Sequence, residues 1–488
     1  MYGRSYELQI LNKSIQSNKA ELGIVYGRRR IGKSTLLKSA MREGDLYFEA
    51  IQGLPLKDQI RHFITQLARQ THSMPVAADS WSDAFEAITP YMLQGSRYVV
   101  FDELPWMASE RSKIVSYLKY YWDQSWKNNP NLTLVLCGSI AQFMVKHVVH
   151  SSALHNRKTF EIKLEPLHSY ETELFFKKKR SLTEMTQFLM VFGGVPKYLE
   201  QIDPNCSLSV NLDDLAFKKS GFFVKEFETI FKEQFKATKI YTEIVKSLSK
   251  GSKSKEELSR EIDFKSGGGL TSYLENLEQA DFIRKQSAVD ILTKTDKPKT
   301  AKYVLWDEWL RFYFRYISTN QKLIAKQSDP GLFRQLTAPS IAGFFGLHFE
   351  SFCIKNINCI FKALRLEPSE IINFGPFFKQ GLRGAISSKA NHHPKTKGIQ
   401  IDILLQRRGR VLTLIECKFQ DEPIGYGIIE EVERKVAILN ATSKMSVERV
   451  LISASGVTAD LEEADYFNQI LGLEIFYNQS AQTKRTSF

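Results

Sequence analysis

No apolar run in this 488-residue chain approaches the ~20 residues that a membrane-spanning helix needs. The opening stretch MYGRSYELQI has neither an apolar signal core nor a small-residue cleavage site. A cytoplasmic protein with no membrane attachment is therefore expected. Cysteine is scarce: there are five, an odd number, without the paired spacing of a zinc ribbon. Cys353 and Cys359 stand six apart and have no matching pair elsewhere, so free thiols in a reducing compartment are expected. The chain also lacks internal repeats and long low-complexity tracts.

Negative charge is in deficit. Lys and Arg number 67 against 54 Asp and Glu, a net charge of +13. This balance favours an anionic partner, nucleic acid first, the alternative being a basic surface that serves solubility. Hydrophobic residues make up 43% of the chain, enough to build cores. The length suits roughly three domains of about 150 residues.

The N-terminal third alternates short apolar strands with amphipathic stretches. GIVYG (Gly23–Gly27), RYVVFDEL (Arg97–Leu104) and LTLVLCGS (Leu132–Ser139) read as strands, and IRHFITQLARQ (Ile60–Gln70) as a helix. That alternation predicts a parallel sheet covered on both faces by helices. From about Ser169 to Phe235 the pattern turns mostly helical. It includes the basic run FFKKKR (Phe175–Arg180) and the turn FGGVPKYL (Phe192–Leu199). After Lys236 come three short helical patterns and a strand, with a turn at Gly267–Gly269, in an order that resembles a winged helix. The aromatic segment YVLWDEWLRFYFRYI (Tyr303–Ile317) reads as packing core. The last part opens near Ser340 with the helix GLHFESFCIKNINCIF, followed by the polar stretch GLRGAISSKANHHPKTKG (Gly381–Gly398). Then come the strands IQIDILLQ and VLTLIECKF, the helix EEVERKVAIL and the strand RVLISAS.

GRRRIGKS (Gly27–Ser34) fits G-x4-G-K-[ST], between a strand and the helix STLLKSAM. Glycines let backbone N–H groups wrap phosphate oxygens. The loop Gly27, Arg28, Arg29, Arg30, Ile31, Gly32, Lys33, Ser34 and Thr35 is the expected ATP site. Lys33 is expected on the β/γ-phosphates and Ser34 on Mg2+. The three arginines read equally as phosphate neutralisers or as solvated side chains. Roughly 70 residues on, the strand YVVFDE ends in an acidic pair. Asp102 is expected to hold Mg2+ and Glu103 to polarise the attacking water as the catalytic carboxylate. Ser139 reads either as a contact to the γ-phosphate or the water, or as a plain strand-end serine.

YGRRRIGKSTLL, VVFDELPWM, LCGSI and GGVPKYLE together resemble the prokaryotic, largely archaeal-type ATPases of the STAND branch of AAA+-like P-loop proteins. One subgroup of these carries a winged helix and a C-terminal domain similar to restriction-endonuclease-like folds. The resemblance implies an α/β P-loop ATPase core over residues 1–165, a helical lid over 166–235, a winged helix over 236–330 and a nuclease-like α/β domain over 340–488. It places Gly194 and Pro196 of the GGxP turn against the nucleotide. It suggests a role near the adenine for Gly3, Arg4 and Glu7, although one extra residue separates Arg from Glu. Arg157 stands where such ATPases carry a γ-phosphate-sensing arginine, but Asn156 replaces the glycine before it; a surface arginine is the other reading. STAND proteins resemble switches, in which the bound nucleotide sets the posture of lid and winged helix. Self-association through the ATPase module is a further expectation.

The third helix of the winged-helix pattern carries Glu275 and Glu278, which oppose tight groove binding. Lys250, Lys253, Lys255 and Arg260 lie nearby and suit phosphate contacts that position without specifying sequence.

Two charges interrupt the apolar strand VLTLIECKF. Glu416 and Lys418 are two apart and so share one face. Asp402 lies in the preceding strand, joined by a turn at Gln406–Arg410. The pattern D-x13-E-x-K resembles the PD-(D/E)xK nuclease signature, without its proline. Asp402 and Glu416 are expected to bind Mg2+ through hard carboxylate oxygens, and Lys418 to orient water or stabilise developing charge. Glu350, on the opening helix, is a further candidate metal ligand, and Lys435 a candidate contact to DNA phosphate. The whole reads as an ATP-dependent switch controlling a nuclease that acts on DNA. A nucleotide-dependent DNA-binding or regulatory ATPase with an inert nuclease-like domain is the alternative.

Overall fold

Strands β1 (Glu21–Tyr26) and β4 (Leu132–Gly138) are buried along their whole length, which is why they read as unbroken apolar runs. With β2 (Leu46–Glu49), β3 (Arg97–Asp102) and β5 (Phe160–Lys163) they form a parallel sheet in the order β2-β3-β4-β1-β5. This computed structural model describes residues 3–94, 97–108, 112–139, 143–235, 238–264, 269–289, 291, 301–326, 330–379 and 398–477. Residues 267–268 of the glycine turn and 381–397 of the polar stretch lie outside them. No described helix is long and apolar enough to cross a membrane.

By its internal contacts the chain forms two units. The first holds residues 1–167, 195–200 and 272–281; the second holds 168–194, 201–271 and 282–488.

In the first unit the sheet is covered on both faces. One side packs Phe48, Phe63, Phe85, Phe101 and Trp126 into an aromatic core. The other packs Leu11 of helix α1 (Ser5–Ile15) and Leu36 and Leu37 of α2 (Lys33–Ser39) against Val25, Val100 and Val135. The sequence reading found β1, β3 and β4 and missed β2 and β5. These outer strands are four residues long and only partly buried. An edge strand wetted on one side carries polar residues and gives no apolar run.

The second unit begins with helices. Leu182–Phe192 packs through Phe192 onto Trp309, rings stacked at 5.8 Å. Trp309, Phe312, Tyr313 and Tyr316 are all buried, so the aromatic segment is packing core as expected. Helices Thr238–Leu248 and Lys255–Glu261 and the antiparallel pair β6 (Ile283–Gln286) and β7 (Lys302–Leu305) belong to this unit, whereas most of the intervening helix Gly269–Gln279 is assigned to the first. Lys253 forms a single isolated antiparallel bridge to Tyr303 of β7.

A mixed sheet in the order β12-β11-β10-β9-β8 completes the unit. β8 (Ile371–Lys379), β9 (Ile399–Arg407) and β10 (Val411–Lys418) run antiparallel; β10, β11 (Ser446–Ser453) and β12 (Gln469–Leu471) run parallel. β8 and β12 were not legible in the sequence. Gly375 and Pro376 interrupt β8, where the register slips, and β12 has only three residues.

Candidate functional site

The nucleotide loop hangs between β1 and α2. Gly27 leaves no room for a side chain: a Cβ there would lie 2.4 Å from the Leu164 carbonyl oxygen. Gly32 turns the chain into the helix with φ of 90°, a left-handed conformation that glycine adopts without strain. Lys33 folds back, donating to the carbonyls of Gly27 at 3.1 Å and Arg28 at 3.0 Å. Ile31 is fully buried, Ser34 half-buried and Thr35 exposed. Arg28 is buried, which removes the solvated reading for that residue. Arg29 donates to Gln52 Oε1 at 3.2 Å, and Arg30 holds a left-handed φ of 70°. Arg4 is buried and donates to Ile31 O at 3.1 Å and Glu7 Oε1 at 3.3 Å, so the N-terminal pattern meets the loop. A Cβ on Gly32 would stand 3.8 Å from Pro196 Cγ. The N–H of Lys197 reaches Arg30 O at 3.4 Å. Gly194, two residues before Pro196, is buried.

Asp102 ends β3 and is fully buried. Its Oδ2 accepts from Ser34 Oγ at 2.6 Å and from the Tyr47 hydroxyl, and its Oδ1 accepts from the Glu103 N–H at 2.8 Å. Burial pushes the Asp102 carboxyl up. Hydrogen bonds from Cys137, Ser34, Tyr47 and Glu103 outweigh burial and hold it below the ordinary range. Glu103 sits in a left-handed conformation, φ 54°, a strain that clusters at functional sites. Its Oε2 accepts from Ser139 Oγ at 2.7 Å, so the two candidates for handling the water meet. A neighbouring hydroxyl and ionised carboxylate are the hard oxygen donors that Mg2+ takes, so Ser34 and Asp102 fit that ion.

Arg157 is held by Asp123. Its guanidinium forks onto Asp123, Nε to Oδ1 at 2.8 Å and Nη2 to Oδ2 at 2.6 Å, while Nη1 donates to Ala153 O. That hydrogen bonding holds the Asp123 carboxyl below its ordinary range. Sequence reasoning missed Tyr47. Its only signal was an aromatic residue in the short segment DLYFEA, which gives no hint of a partner 55 residues on.

The C-terminal candidates converge in the second unit. The β9–β10 ladder ends at Ile403 and Ile415. One residue further, Asp402 Oδ2 accepts from the Cys417 N–H at 2.9 Å, replacing a backbone partner with a carboxylate. Asp402 is buried and Glu416 fully so. Lys418 Nζ stands 3.5 Å from both Glu416 Oε2 and Glu431 Oε2. Lys435, expected on DNA phosphate, is instead buried: it holds Glu416 Oε1 at 2.6 Å and Glu431 Oε1 at 2.9 Å. Helix periodicity put Lys435 on the inner face of Ile428–Thr442 with Val432, Val436 and Leu439. Glu350 comes from the helix Ile341–Lys355 and accepts from Gln400 Nε2 at 3.4 Å.

Burial, then the Asp402 and Glu416 charges, push the Glu350 carboxyl up to about 8. Burial and Asp402 push Glu416 up to about 7, against the pull of Lys435 and Lys418. Burial alone disfavours a charged Lys435, but Glu416 and Glu431 outweigh it and raise its range. The 2.6 Å contact is an ionised pair above about pH 7, and Glu416 takes up a proton as pH falls through that value. Among the described residues no three His, Cys, Asp or Glu side chains are gathered closely enough to hold a metal ion. The chemistry of Asp402 and Glu416 still fits one: Glu416 Oε2 is buried without a hydrogen bond, beside the Asp402 carboxyl, which burial pushes up against the pull of the Cys417 N–H, Lys435 and Lys418.

Comparison with known proteins bears on the N-terminal part. Residues 1–202 match a family described as an ATPase domain predominantly from Archaea. Over 322 residues, 66% of this chain and 70% of the relative, the sequence is 29% identical to the uncharacterized protein MJECL04 of Methanocaldococcus jannaschii. Among solved structures, the Walker-type ATPase paby2304 of Pyrococcus abyssi aligns with TM-score 0.47 and 18% identity, covering 64% of this chain and 96% of that one. The ORC2 protein of Aeropyrum pernix aligns with TM-score 0.39 and 14% identity, covering 65% and 92%. The STAND protein PH0952 of Pyrococcus horikoshii, with a tetratricopeptide repeat sensor, aligns with TM-score 0.32 and 15% identity, covering 75% and 56%. The family match and the loop geometry together support an archaeal-type ATPase domain, on a parallel-sheet α/β fold, in the N-terminal part.

Proposed function

We propose that this chain is an ATP-binding and hydrolysing switch that controls a magnesium-dependent nuclease acting on DNA. In this reading residues 1–165 are the ATPase core, 166–235 the helical lid, 236–330 a winged helix and 340–488 a PD-(D/E)xK nuclease-like domain. The observation that carries it is the meeting of Asp402, Glu416 and Lys418 at the ends of two paired strands, with the raised Glu350 carboxyl beside them. The three helices, the β6–β7 pair and the Lys253–Tyr303 bridge support the winged-helix reading. The net charge of +13 supports an anionic partner.

When bound, Mg2+ supplies Lewis acidity at phosphorus and lowers the pKa of water. Ser34 and Asp102 would hold it in the nucleotide site, and Asp402 and Glu416 in the C-terminal site. Lys33 leaves the loop carbonyls and places its ammonium on the β/γ-phosphates. Glu103, fixed by Ser139, accepts a hydrogen bond from the attacking water and so orients it. Lys418 presents its ammonium to the scissile phosphate as negative charge builds there.

The test is incubation of the purified protein with plasmid and linear DNA and Mg2+, with and without ATP, for the native chain, Asp402→Ala, Lys418→Ala and Lys33→Ala. Cutting that both C-terminal variants lose, and whose ATP response Lys33→Ala loses, is the expected result. No cutting under any condition sinks the nuclease reading. One observation favours the second reading, a nucleotide-dependent DNA-binding or regulatory protein: two lysines already engage Glu416. A gel shift with Asp402→Ala separates binding from cutting.

A further inference from the structure

Tyr47 is half-buried on β2, an edge strand paired in parallel with β3. The register sets Tyr47 opposite Val100 and Glu49 opposite Asp102. Residues two apart share a face, so Tyr47 and Asp102 lie on the same side of the sheet. The phenol crosses that gap and donates to Asp102 Oδ2. Its position is fixed from both ends. Gln70 clamps the Tyr47 backbone, accepting from its N–H at 2.7 Å and donating to its carbonyl at 2.9 Å. The Lys38 ammonium, one turn beyond Ser34, stands 4.5 Å over the ring.

A carboxylate has about four lone-pair sites. On Asp102, Oδ2 serves both Ser34 Oγ and the Tyr47 hydroxyl, and Oδ1 serves the Glu103 N–H. Both lone-pair sites of Oδ2 are taken, so a cation or its water on that oxygen must replace one of the two hydroxyls. The Ser34 contact joins two groups that would hold the same ion, and the Glu103 contact is backbone. The hydroxyl of Tyr47 is the donor that can yield without unmaking the site.

We propose that Tyr47 is a positioning residue that competes with Mg2+ for Asp102 Oδ2 and thereby sets the magnesium dependence of nucleotide binding. This rests on the ATPase reading of the loop. Nucleotide without metal does not need that oxygen and is indifferent to the phenol; the magnesium complex must displace it.

The experiment measures the affinity of the full chain for a fluorescent, non-hydrolysable ATP analogue in excess Mg2+ and in EDTA. Native protein, Tyr47→Phe and Tyr47→Leu are compared, with a thermal melt of each. The native protein first shows whether the loop binds nucleotide at all; no binding in either buffer defeats the ATPase reading and this inference with it. Given native binding, removing the hydroxyl is expected to raise the ratio of magnesium to EDTA affinity by roughly three- to ten-fold. A Mg2+ titration at fixed analogue should reach half-saturation at correspondingly lower Mg2+. The EDTA affinity should stay within about two-fold of native. A ratio that is unchanged or falls in whichever variant keeps its melt, or an equal change in both buffers, overturns the proposal.

Discussion

Lys435 Nζ lies 2.6 Å from Glu416 Oε1, and both side chains are buried. A charge taken out of water is tolerated only with a partner, and breaking such a pair from one side costs about 3–5 kcal/mol. Lys435→Met should therefore destabilise the protein by about that amount in urea denaturation. The double variant Lys435→Met with Glu416→Gln should recover much of the loss, because no charge is left stranded. If the single and double variants lose equal stability, the pair is not coupled as the geometry indicates.

The same cluster gives the stability a pH dependence of definite sign. The Glu350 carboxyl rises from 4.5 to about 8 on folding. A raised acid binds protons more tightly in the folded chain, so its contribution is complete below about pH 4.5 and is lost as pH climbs through about 8. Melting temperature should fall across that window, and Glu350→Gln should flatten the slope. An equally steep fall in the variant would assign the slope to other groups.

Gly27 faces the Leu164 carbonyl oxygen, a backbone atom that cannot swing aside. Gly27→Ala should cost about 1–3 kcal/mol, in the range for an overpacked site, and weaken nucleotide binding as the loop shifts. Chemical denaturation and nucleotide titration check the two effects separately.

Ser139 holds Glu103 at 2.7 Å while Glu103 occupies a strained backbone conformation. Ser139→Ala removes a hydrogen bond to a charged group, and the ATP turnover number should fall about tenfold. Nucleotide affinity should stay within about two-fold, because in the proposed role the loss falls on the water and not on the phosphates. A raised KM with unchanged turnover would place Ser139 on the nucleotide instead.

Sequence alone fixed whatever depends on neighbours along the chain. The nucleotide loop was legible because G-x4-G-K-S must supply its turn and its ammonium within a few residues. The pair Glu416 and Lys418 was legible because strand periodicity puts them on one face. The buried strands β1, β3 and β4 were legible as apolar runs, whereas β2, β5, β8 and β12 were hidden by partial burial, short length or an interrupting Gly-Pro. What the sequence could not hold is the choice of partner between distant elements. Arg157 reads either as a γ-phosphate sensor or as a surface arginine, and only the fold brings Asp123 beside its guanidinium. Lys435 was assigned to DNA, yet packing turned it inward onto Glu416. Tyr47 carried no motif, and only the β2–β3 register delivers its hydroxyl to Asp102. Charge type and spacing are written in the chain; which charges meet, and which are stripped of water when they do, is decided when the elements pack.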